Sequence, residues 1–137
     1  MEGKSCTVLL IEDEPGFRQI MAEVLALESR ITKIFQAGTL TEGLQLLERE
    51  TIDVTVTDLR LPDSDGAETV ERITGIFPEA IVLVVTGLHL HSRMVDDLII
   101  AGAFGFISKT QLFNRSLVEW VIQAHQFRKA VSIAGRL

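Results

Sequence analysis

The stretch AIVLVV, residues Ala80–Val85, gives the strongest strand signal in the chain. Every residue in it is apolar, and Thr86 and Gly87 end it. A strand without alternating polar residues is typical of a parallel sheet that helices cover on both faces. The stretch therefore predicts an α/β protein with further buried strands and intervening helices.

Four other segments predict strands, and amphipathic segments separate them. The other predicted strands are Thr7–Ile11, Ile31–Ala37, Ile52–Thr57 and Phe104–Ser108. The first predicted helix follows Pro15 and carries the apolar residues Phe17, Ile20, Met21, Val24, Leu25 and Leu27. The second begins at the capping pair Thr39 and Glu42 and carries Leu40, Leu44, Leu46 and Leu47. The other three are Ala67–Phe77 with Val70, Ile73 and Ile76 inward, Ser92–Ala101 closed by Gly102, and a helix within Gln111–Arg128. Five strands alternating with five helices predict a doubly wound parallel sheet with right-handed crossovers.

The composition fits one soluble globular domain, because the 137 residues are 47% apolar and 23% charged. The single cysteine, Cys6, excludes an intrachain disulfide and a Cys-based zinc site. A net charge of −6, from 19 acidic and 13 basic residues, argues against nucleic acid as a direct partner. No apolar run reaches the about 18–20 residues of a membrane span, and the polar start Met1–Ser5 does not resemble a signal peptide. We therefore expect a cytoplasmic protein with no membrane partner.

Charged and hydroxyl side chains follow the predicted strands. Glu12 and Asp13 follow the first strand, Asp58 the third, Thr86 the fourth and Lys109 the fifth. The carboxyl ends of the strands meet at one edge of a doubly wound sheet. Three neighbouring carboxylates recruit a cation, and oxygen ligands select a hard one such as Mg²⁺. One carboxylate can then accept a phosphoryl group as a nucleophile, while the lysine and the threonine hold the phosphoryl oxygens.

The motifs that carry these residues resemble those of the receiver domain of two-component response regulators. They are LLIEDEP (Leu9–Pro15), VTDLRLPDSDG (Val56–Gly66), VVTG (Val84–Gly87) and GAFGFISK (Gly102–Lys109). The resemblance covers residues 6–128 and implies a flavodoxin-like fold with strand order 2-1-3-4-5. Residues 129–137 are then a C-terminal tail or the start of a linker.

The resemblance implies a phosphorylation site that depends on Mg²⁺. Asp58 matches the phosphoacceptor, and Asp13 matches a direct metal ligand. Glu12, where aspartate is commoner, matches a ligand that acts directly or through water. The backbone carbonyl of Arg60 matches the main-chain metal ligand of the family.

The resemblance also implies a switch. Thr86 matches the hydroxyl that moves to the phosphoryl group, Lys109 the ammonium that pairs with it, and Phe106 the aromatic residue that turns inward afterwards. Phe106 stands where tyrosine is frequent, so its inward state lacks a phenolic hydrogen bond. Thr110 stands where the family usually has proline. We therefore do not expect the cis peptide that is common there, since non-proline cis bonds cost about 2.5–4 kcal/mol.

The implied phosphodonor is a sensor histidine kinase or a phosphotransfer protein, and the implied output is a change in helix 4, strand 5 and helix 5. That surface would control a partner or a fused output domain, or form a homodimer. Trp120 lies roughly 130° from the centre of the apolar face of the last helix, which predicts a contact residue on that surface. Packing of Trp120 against Ala130–Leu137 is the alternative.

Two other functions compete with the switch. An aspartate-nucleophile phosphohydrolase needs a second aspartate two residues after the nucleophile, and Arg60 stands there, so we expect no turnover of an external substrate. A receiver-like interaction module that acts without phosphorylation stays open, because Phe106 and Thr110 depart from the family pattern.

Two metal patterns are rejected. A calcium loop around Asp63–Gly66 would place Leu61 and Arg72 at the first and twelfth ligand positions, where oxygen ligands are needed. His89 and His91 have no evident third ligand and are interpreted as loop residues.

Overall fold

A computed structural model describes residues 5–87, 90–111 and 115–134, and strands and helices alternate along them. The strands of the main sheet are β1 (Cys6–Ile11), β2 (Ile31–Ala37), β3 (Val54–Thr57), β4 (Val82–Thr86) and β5 (Gly105–Ser108). The α-helices are α1 (Pro15–Ala26), α2 (Leu40–Arg49), α3 (Ala67–Ile76), α4 (Ser92–Ala101) and α5 (Ser116–Ala134). A short antiparallel hairpin pairs Arg60–Leu61 with Ser64–Asp65, and a 3₁₀ turn spans Lys109–Gln111.

The main sheet is parallel throughout, with the strand order β2-β1-β3-β4-β5. The chain therefore turns outward from β1 to β2, returns to β3 on the other side of β1, and continues to β5. This confirms the predicted doubly wound, flavodoxin-like fold. The winding reverses between β1 and β3, and ligands bind beyond the carboxyl ends of the strands at such a point.

Two hydrophobic clusters cover the two faces of the sheet. Val8 and Leu10 of β1 belong to one cluster, whereas Leu9 and Ile11 belong to the other, as the alternation of side chains along a strand requires. The helix residues include Met21, Leu25, Leu117 and Val121 in the first cluster and Leu40, Val70, Ile73 and Leu98 in the second. Helices α1 and α5 thus cover one face, and α2, α3 and α4 cover the other.

Helix α2 begins at the predicted cap and lies close to the end of β1. The Oγ1 of Thr39 accepts the backbone N–H of Glu42 at 3.1 Å. A Cβ atom at Gly43 would overlap the side chain of Ile11, so the glycine permits this close approach. The N-terminus of α2 therefore lies beside the carboxyl edge of the sheet.

Three apolar residues that recur at helical spacing are exposed. Ile76 is the last residue of α3 and is 60% exposed, so its assignment to the core was wrong. Leu27 follows the last residue of α1 and is 84% exposed, and Ile20 is 38% exposed. Helical periodicity identifies a stripe, but the side chains at its margins and ends extend beyond the neighbouring elements.

Strand β3 begins at Val54, two residues later than predicted, because side chains bind the backbone before it. The N–H of Thr7 donates to Asp53 Oδ2 at 2.8 Å. The guanidinium of Arg128 donates to the carbonyls of Ile52 and Asp53, at 2.6 and 3.2 Å. Strands β4 and β5 also begin later than predicted, by two residues and one residue.

Helix α5 differs most from its prediction. It begins at Ser116, after the 3₁₀ turn at Lys109–Gln111, and it continues to Ala134. The backbone helix therefore passes the domain end predicted at residue 128. In the part of the chain that the structure describes, no helix has the length and apolar character needed to cross a membrane.

Candidate functional site

The ends of the central strands bring charged side chains together. Strands β1 and β3 are in register, with Ile11 opposite Thr57, so the residues that follow them lie side by side. The backbone continues the ladder by one bond, since Asp58 N–H donates to the carbonyl of Ile11 at 3.0 Å. Glu12, which follows Ile11, is fully buried, and Asp58 is 8% exposed.

Lys109 joins these two carboxylates from the end of β5. Its Nζ lies 2.9 Å from Asp58 Oδ2 and 2.6 Å from Glu12 Oε1. The first contact is a hydrogen bond, and the second is an ion pair without hydrogen-bond alignment. Burial lowers the pKa of Lys109, but its contacts with Asp58 and Glu12 outweigh burial and raise the pKa above its usual value. The ammonium is therefore charged at neutral pH.

The carboxylate of Asp58 is held on both oxygens. Oδ1 accepts the backbone N–H groups of Leu59 at 2.6 Å and Arg60 at 3.3 Å, while Oδ2 accepts from Lys109. Two amides and an ammonium fix the orientation of this group. A carboxylate held in one orientation is suited to attack an electrophile that approaches along one direction.

The surroundings of the Glu12 carboxyl disfavour its charged form. Burial raises its pKa, Asp58 adds to the increase through charge repulsion, and Lys109 opposes it. Its Oε2 accepts the N–H of Glu14 at 3.3 Å, and its backbone carbonyl accepts Arg18 Nη1 at 2.6 Å. A cation beside Glu12 and Asp58 would remove the repulsion between them.

The donor set fits a hard divalent cation. Carboxylate oxygens of Glu12, Asp13 and Asp58 all lie within 4.8 Å of one another, and the Asp13 side chain is exposed. Oxygen-only ligands with an open, solvated side suit Mg²⁺, which keeps several waters and takes few carboxylates. Arg60, whose carbonyl is the predicted fourth ligand, lies beside this group through its N–H bond to Asp58.

The two predicted switch residues lie on β4 and β5. Thr86 ends β4, is 1% exposed and is paired with Ser108 in the sheet register. Phe106 is partly buried against the cluster beneath α2, α3 and α4, whereas Phe104 packs against the opposite cluster. The two rings therefore lie on opposite faces of the sheet. No peptide bond among the described residues is cis, so Thr110 follows Lys109 through an ordinary trans bond.

Trp120 packs partly against the edge of the core. Its ring meets Phe104 edge-to-face with the ring centroids 6.2 Å apart, and it covers Gly105, where a Cβ would lie 2.7 Å from Cζ3. The position on the helix predicted neither contact, because a long side chain reaches back over a glycine that has no side chain of its own. In these contacts Trp120 packs on Gly105 of β5 and on Phe104, the residue before it. The alternative, packing against Ala130–Leu137, concerns side chains outside the part of the chain that the structure describes and stays a prediction.

Sequence reasoning missed several residues around the site. The ring of Phe17 lies beneath Lys109, with Nζ 4.4 Å from its centroid, and this cation–π contact holds the lysine near the acids. The sequence signal for it was position, since Phe17 lies three residues after Glu14, the last acid of the acidic turn. Asp63, considered only for the rejected calcium loop, binds the N-terminus of α2.

The histidine pair was interpreted as loop residues. His91 is exposed and caps α4, because its Nδ1 accepts the N–H of Met94 at 3.4 Å. His89 lies outside the described residues. Among the described residues, the group that could hold a metal ion is the acidic one at the sheet edge.

Comparison with known proteins agrees with this fold. The family model for the response regulator receiver domain matches residues 8–121. The chain is 33% identical to the response regulator protein PilR of Pseudomonas aeruginosa over 101 residues, which are 74% of this chain and 22% of PilR. It is 30% identical to the transcriptional regulatory protein GlrR of Escherichia coli over 111 residues, which are 80% of this chain and 24% of GlrR. The chain spans about a quarter of the length of these relatives.

A solved structure has the same fold over most of the chain. The CheY-like receiver domain protein from Methanospirillum hungatei superposes with a TM-score of 0.81 and 24% identity, covering 92% of this chain and 98% of that one. The chain therefore belongs to the response regulator receiver domain family, whose members act as switches in two-component signalling.

Proposed function

We propose that the chain is a phosphorylation switch in which Asp58 is the phosphoacceptor. The observation that carries the proposal is the setting of the Asp58 carboxylate. It lies between two backbone amides and the Lys109 ammonium, with the oxygens of Glu12 and Asp13 within 4.8 Å. This combines a nucleophile, a cation-binding group and a positive charge at one edge of the sheet.

The reaction transfers a phosphoryl group from the phosphohistidine of a sensor kinase or a phosphotransfer protein. A carboxylate oxygen of Asp58 attacks the phosphorus, the P–N bond breaks, and its electron pair returns to the imidazole, which takes up a proton. Lys109, already charged and 2.9 Å from Asp58, pairs with a phosphoryl oxygen in the product. The chain modifies itself and turns over no external substrate.

The residues that would hold Mg²⁺ are Glu12, Asp13 and Asp58 through their carboxylates and Arg60 through its backbone carbonyl. The bound cation would offset the negative charge of the acids and of the incoming phosphoryl group. Asp58 contributes the attacking oxygen, while burial of Glu12 keeps one acidic arm fixed beside it.

Thr86 and Phe106 would carry the change to the surface. The Thr86 hydroxyl moves toward a phosphoryl oxygen, and the space it leaves on β4 admits Phe106. On the neighbouring strand, Phe106 is paired with Val84, two residues before Thr86. The readout surface is α4, β5 and α5. It controls a partner or a fused output domain, or it forms a homodimer.

The experiment is intact mass after incubation with acetyl phosphate and Mg²⁺. We expect one added phosphoryl group, absent without Mg²⁺ and absent in Asp58→Asn. If no mass is added, a beryllofluoride complex separates rapid hydrolysis from an inactive site. Failure to form that complex as well would favour a receiver-like interaction module that acts without phosphorylation.

Trp120 is proposed as a contact residue of the readout surface. Replacement by alanine should weaken self-association or partner binding of the beryllofluoride form, because a half-buried indole offers apolar area at an interface. Sedimentation of the activated wild type and Trp120→Ala measures this. Equal association by both proteins would contradict the assignment.

A further inference from the structure

The loop that follows Asp58 is hydrogen-bonded to the first residues of α2, which lie more than 20 residues before Asp63 in the chain. Asp63 lies at the tip of the hairpin that joins β3 to α3. Its Oδ1 accepts the N–H of Leu40 at 2.8 Å, and its Oδ2 accepts the N–H of Thr41 at 2.9 Å and the hydroxyl of Thr41 at 2.7 Å. One carboxylate therefore binds the first two amides of α2.

These bonds complete the N-terminus of α2. Thr39 already binds the N–H of Glu42, and the N–H of Gly43 bonds to the carbonyl of Thr39. A helix that has its own cap is stabilised further by a carboxylate at its positive end. Burial raises the pKa of Asp63, but the hydrogen bonds from Thr41 and Leu40 outweigh burial and lower it, so the group is an anion at neutral pH.

The loop is anchored at a second point near its beginning. The carbonyl of Leu59 accepts the N–H of Gly66 at 3.0 Å and the hydroxyl of Thr69 at 3.1 Å. Because the Thr69 proton is used in this way, Ser64 donates to Thr69 Oγ1 at 2.7 Å. The base of the hairpin is therefore closed by buried hydrogen bonds.

Arg72 of α3 adds a bond at the tip, since its Nη1 donates to the carbonyl of Asp63 at 2.9 Å. Arg60 lies between the closed base and the tip, and its own N–H binds Asp58 Oδ1. The backbone around Arg60 is thus held on both sides, and the Asp63 side chain is the link that ties this hairpin to another helix.

We propose that Asp63 is a positioning residue of the metal site: it fixes the hairpin against α2 and so keeps the Arg60 carbonyl in place for Mg²⁺. This inference rests on the proposed function, because it assigns a role to the same site. Residues that orient a metal ligand typically change metal affinity by about 10–100-fold when they are replaced.

The test is a calorimetric Mg²⁺ titration of the full chain in four forms: wild type, Asp63→Ala, Thr39→Ala and Asp65→Ala. Thr39→Ala removes the other cap of α2 but leaves the hairpin attached. Asp65→Ala removes the same charge from the same hairpin, at a side chain that is 76% exposed. Asp65 Oδ1 lies 4.0 Å from Nε of the exposed Arg60 side chain, and such an exposed ion pair contributes little. We expect Asp63→Ala to weaken Mg²⁺ binding about 10-fold, and we expect the two controls to bind like the wild type.

Urea unfolding of the same variants separates positioning from helix stability. Asp63→Ala and Thr39→Ala should both lower the midpoint, because each removes a cap of α2. A merely structural role for Asp63 would lower the midpoint and leave Mg²⁺ affinity unchanged, which would overturn the proposal. Equal weakening in Asp63→Ala and Asp65→Ala would also overturn it, because charge alone would explain the result.

Asp63→Asn keeps the test valid if the alanine variant does not fold. An amide retains one acceptor oxygen, so it can bind one of the two helix amides, and we expect intermediate Mg²⁺ affinity. Affinity equal to that of the wild type would contradict the proposal. If the wild type itself binds no Mg²⁺, the proposed function fails at its metal site and this inference fails with it, whereas loss of binding in Asp63→Ala alone leaves the proposed function intact.

Discussion

Charged side chains lie at both ends of the parallel strands, the carboxyl edge and the amino edge of the main sheet, but their charges are balanced differently at the two. At the carboxyl edge, Glu12, Asp13 and Asp58 face Lys109, so carboxylates are in excess among the described residues. At the amino edge, the Asp53 carboxylate has the Arg128 guanidinium 3.8 Å away. The first edge holds uncompensated negative charge in a nearly buried position, and the second does not.

The amino edge also uses its charges differently. Arg128 donates to the carbonyls of Ile52 and Asp53, and the Asp53 carboxylate accepts from Thr7, so these groups complete backbone hydrogen bonds where strands begin. His125, buried on α5, lies 3.8 Å from Asp53. Balanced charges joined to the backbone support the fold, whereas an excess of charge around an oriented nucleophile needs a ligand to complete it.

Lys109→Ala tests the carboxyl edge and should have the largest effect. Loss of a positive charge that stabilises the transferring phosphoryl group should slow phosphorylation by acetyl phosphate about 100-fold. Mg²⁺ affinity should rise, because the ammonium no longer competes for Asp58 and Glu12. Intact mass against time and calorimetry measure the two quantities.

Lys33→Ala is the matched control for that variant. Lys33 is exposed on β2, with its Nζ 5.8 Å from the centroid of Phe35, and its loss changes net charge by the same amount. We expect its phosphorylation rate and Mg²⁺ affinity to match the wild type. A fall in Mg²⁺ affinity in Lys109→Ala would show that the lysine supports the metal site and does not compete with the cation.

Arg128→Ala tests the amino edge and should affect stability alone. The free energy of unfolding should fall by about 1–3 kcal/mol, because two partly buried carbonyls lose their donor. Phosphorylation should be unchanged, since the variant removes nothing at the other end of β3. Urea unfolding and intact mass check both, with Arg49→Ala on the exposed side of α2 as the control.

Local signals predicted much of the fold. The bounds of β2 and α4 match the prediction to the residue, because apolar pattern and end signals agree there, as with Gly102, whose φ of 105° ends α4. The beginning of β3 and the extent of α5 were not predictable, since Arg128 and Asp53 meet across the molecule. A periodic pattern does not reveal which distant side chain will take a backbone carbonyl.

The site was predictable in its membership but not in its contacts. The rule that function lies beyond the strand ends identified the acids and Lys109. It did not indicate that Glu12 would be fully buried or that Phe17 would lie beneath the lysine. The contact of Asp63 with α2 was not predicted for the same reason, because the sequence of a turn does not indicate which helix its carboxylate will cap.

The smallest expected effect concerns a second balanced pair at the amino edge. Glu28, just before β2, accepts hydrogen bonds from the Nε, Nη2 and backbone N–H of Arg30. These bonds lower the pKa of Glu28 to about 2, whereas 4.5 is the value expected when the chain is unfolded. The Glu28 carboxyl thus binds a proton more weakly in the folded protein than in the unfolded chain. Its contribution to the free energy of unfolding is complete above pH 4.5 and is lost as the pH falls toward 2.

Glu28→Gln should therefore lower the urea midpoint slightly at neutral pH and less at pH values approaching 2. The effect is small because Arg30 is 42% exposed and water screens the pair. Phosphorylation should not change, in contrast to any substitution among the acids of the carboxyl edge. Urea unfolding of the wild type and the variant at several pH values provides the measurement. A difference that grows as the pH falls would contradict the sign of this linkage and would mean that Glu28 is not the stabilising partner of Arg30.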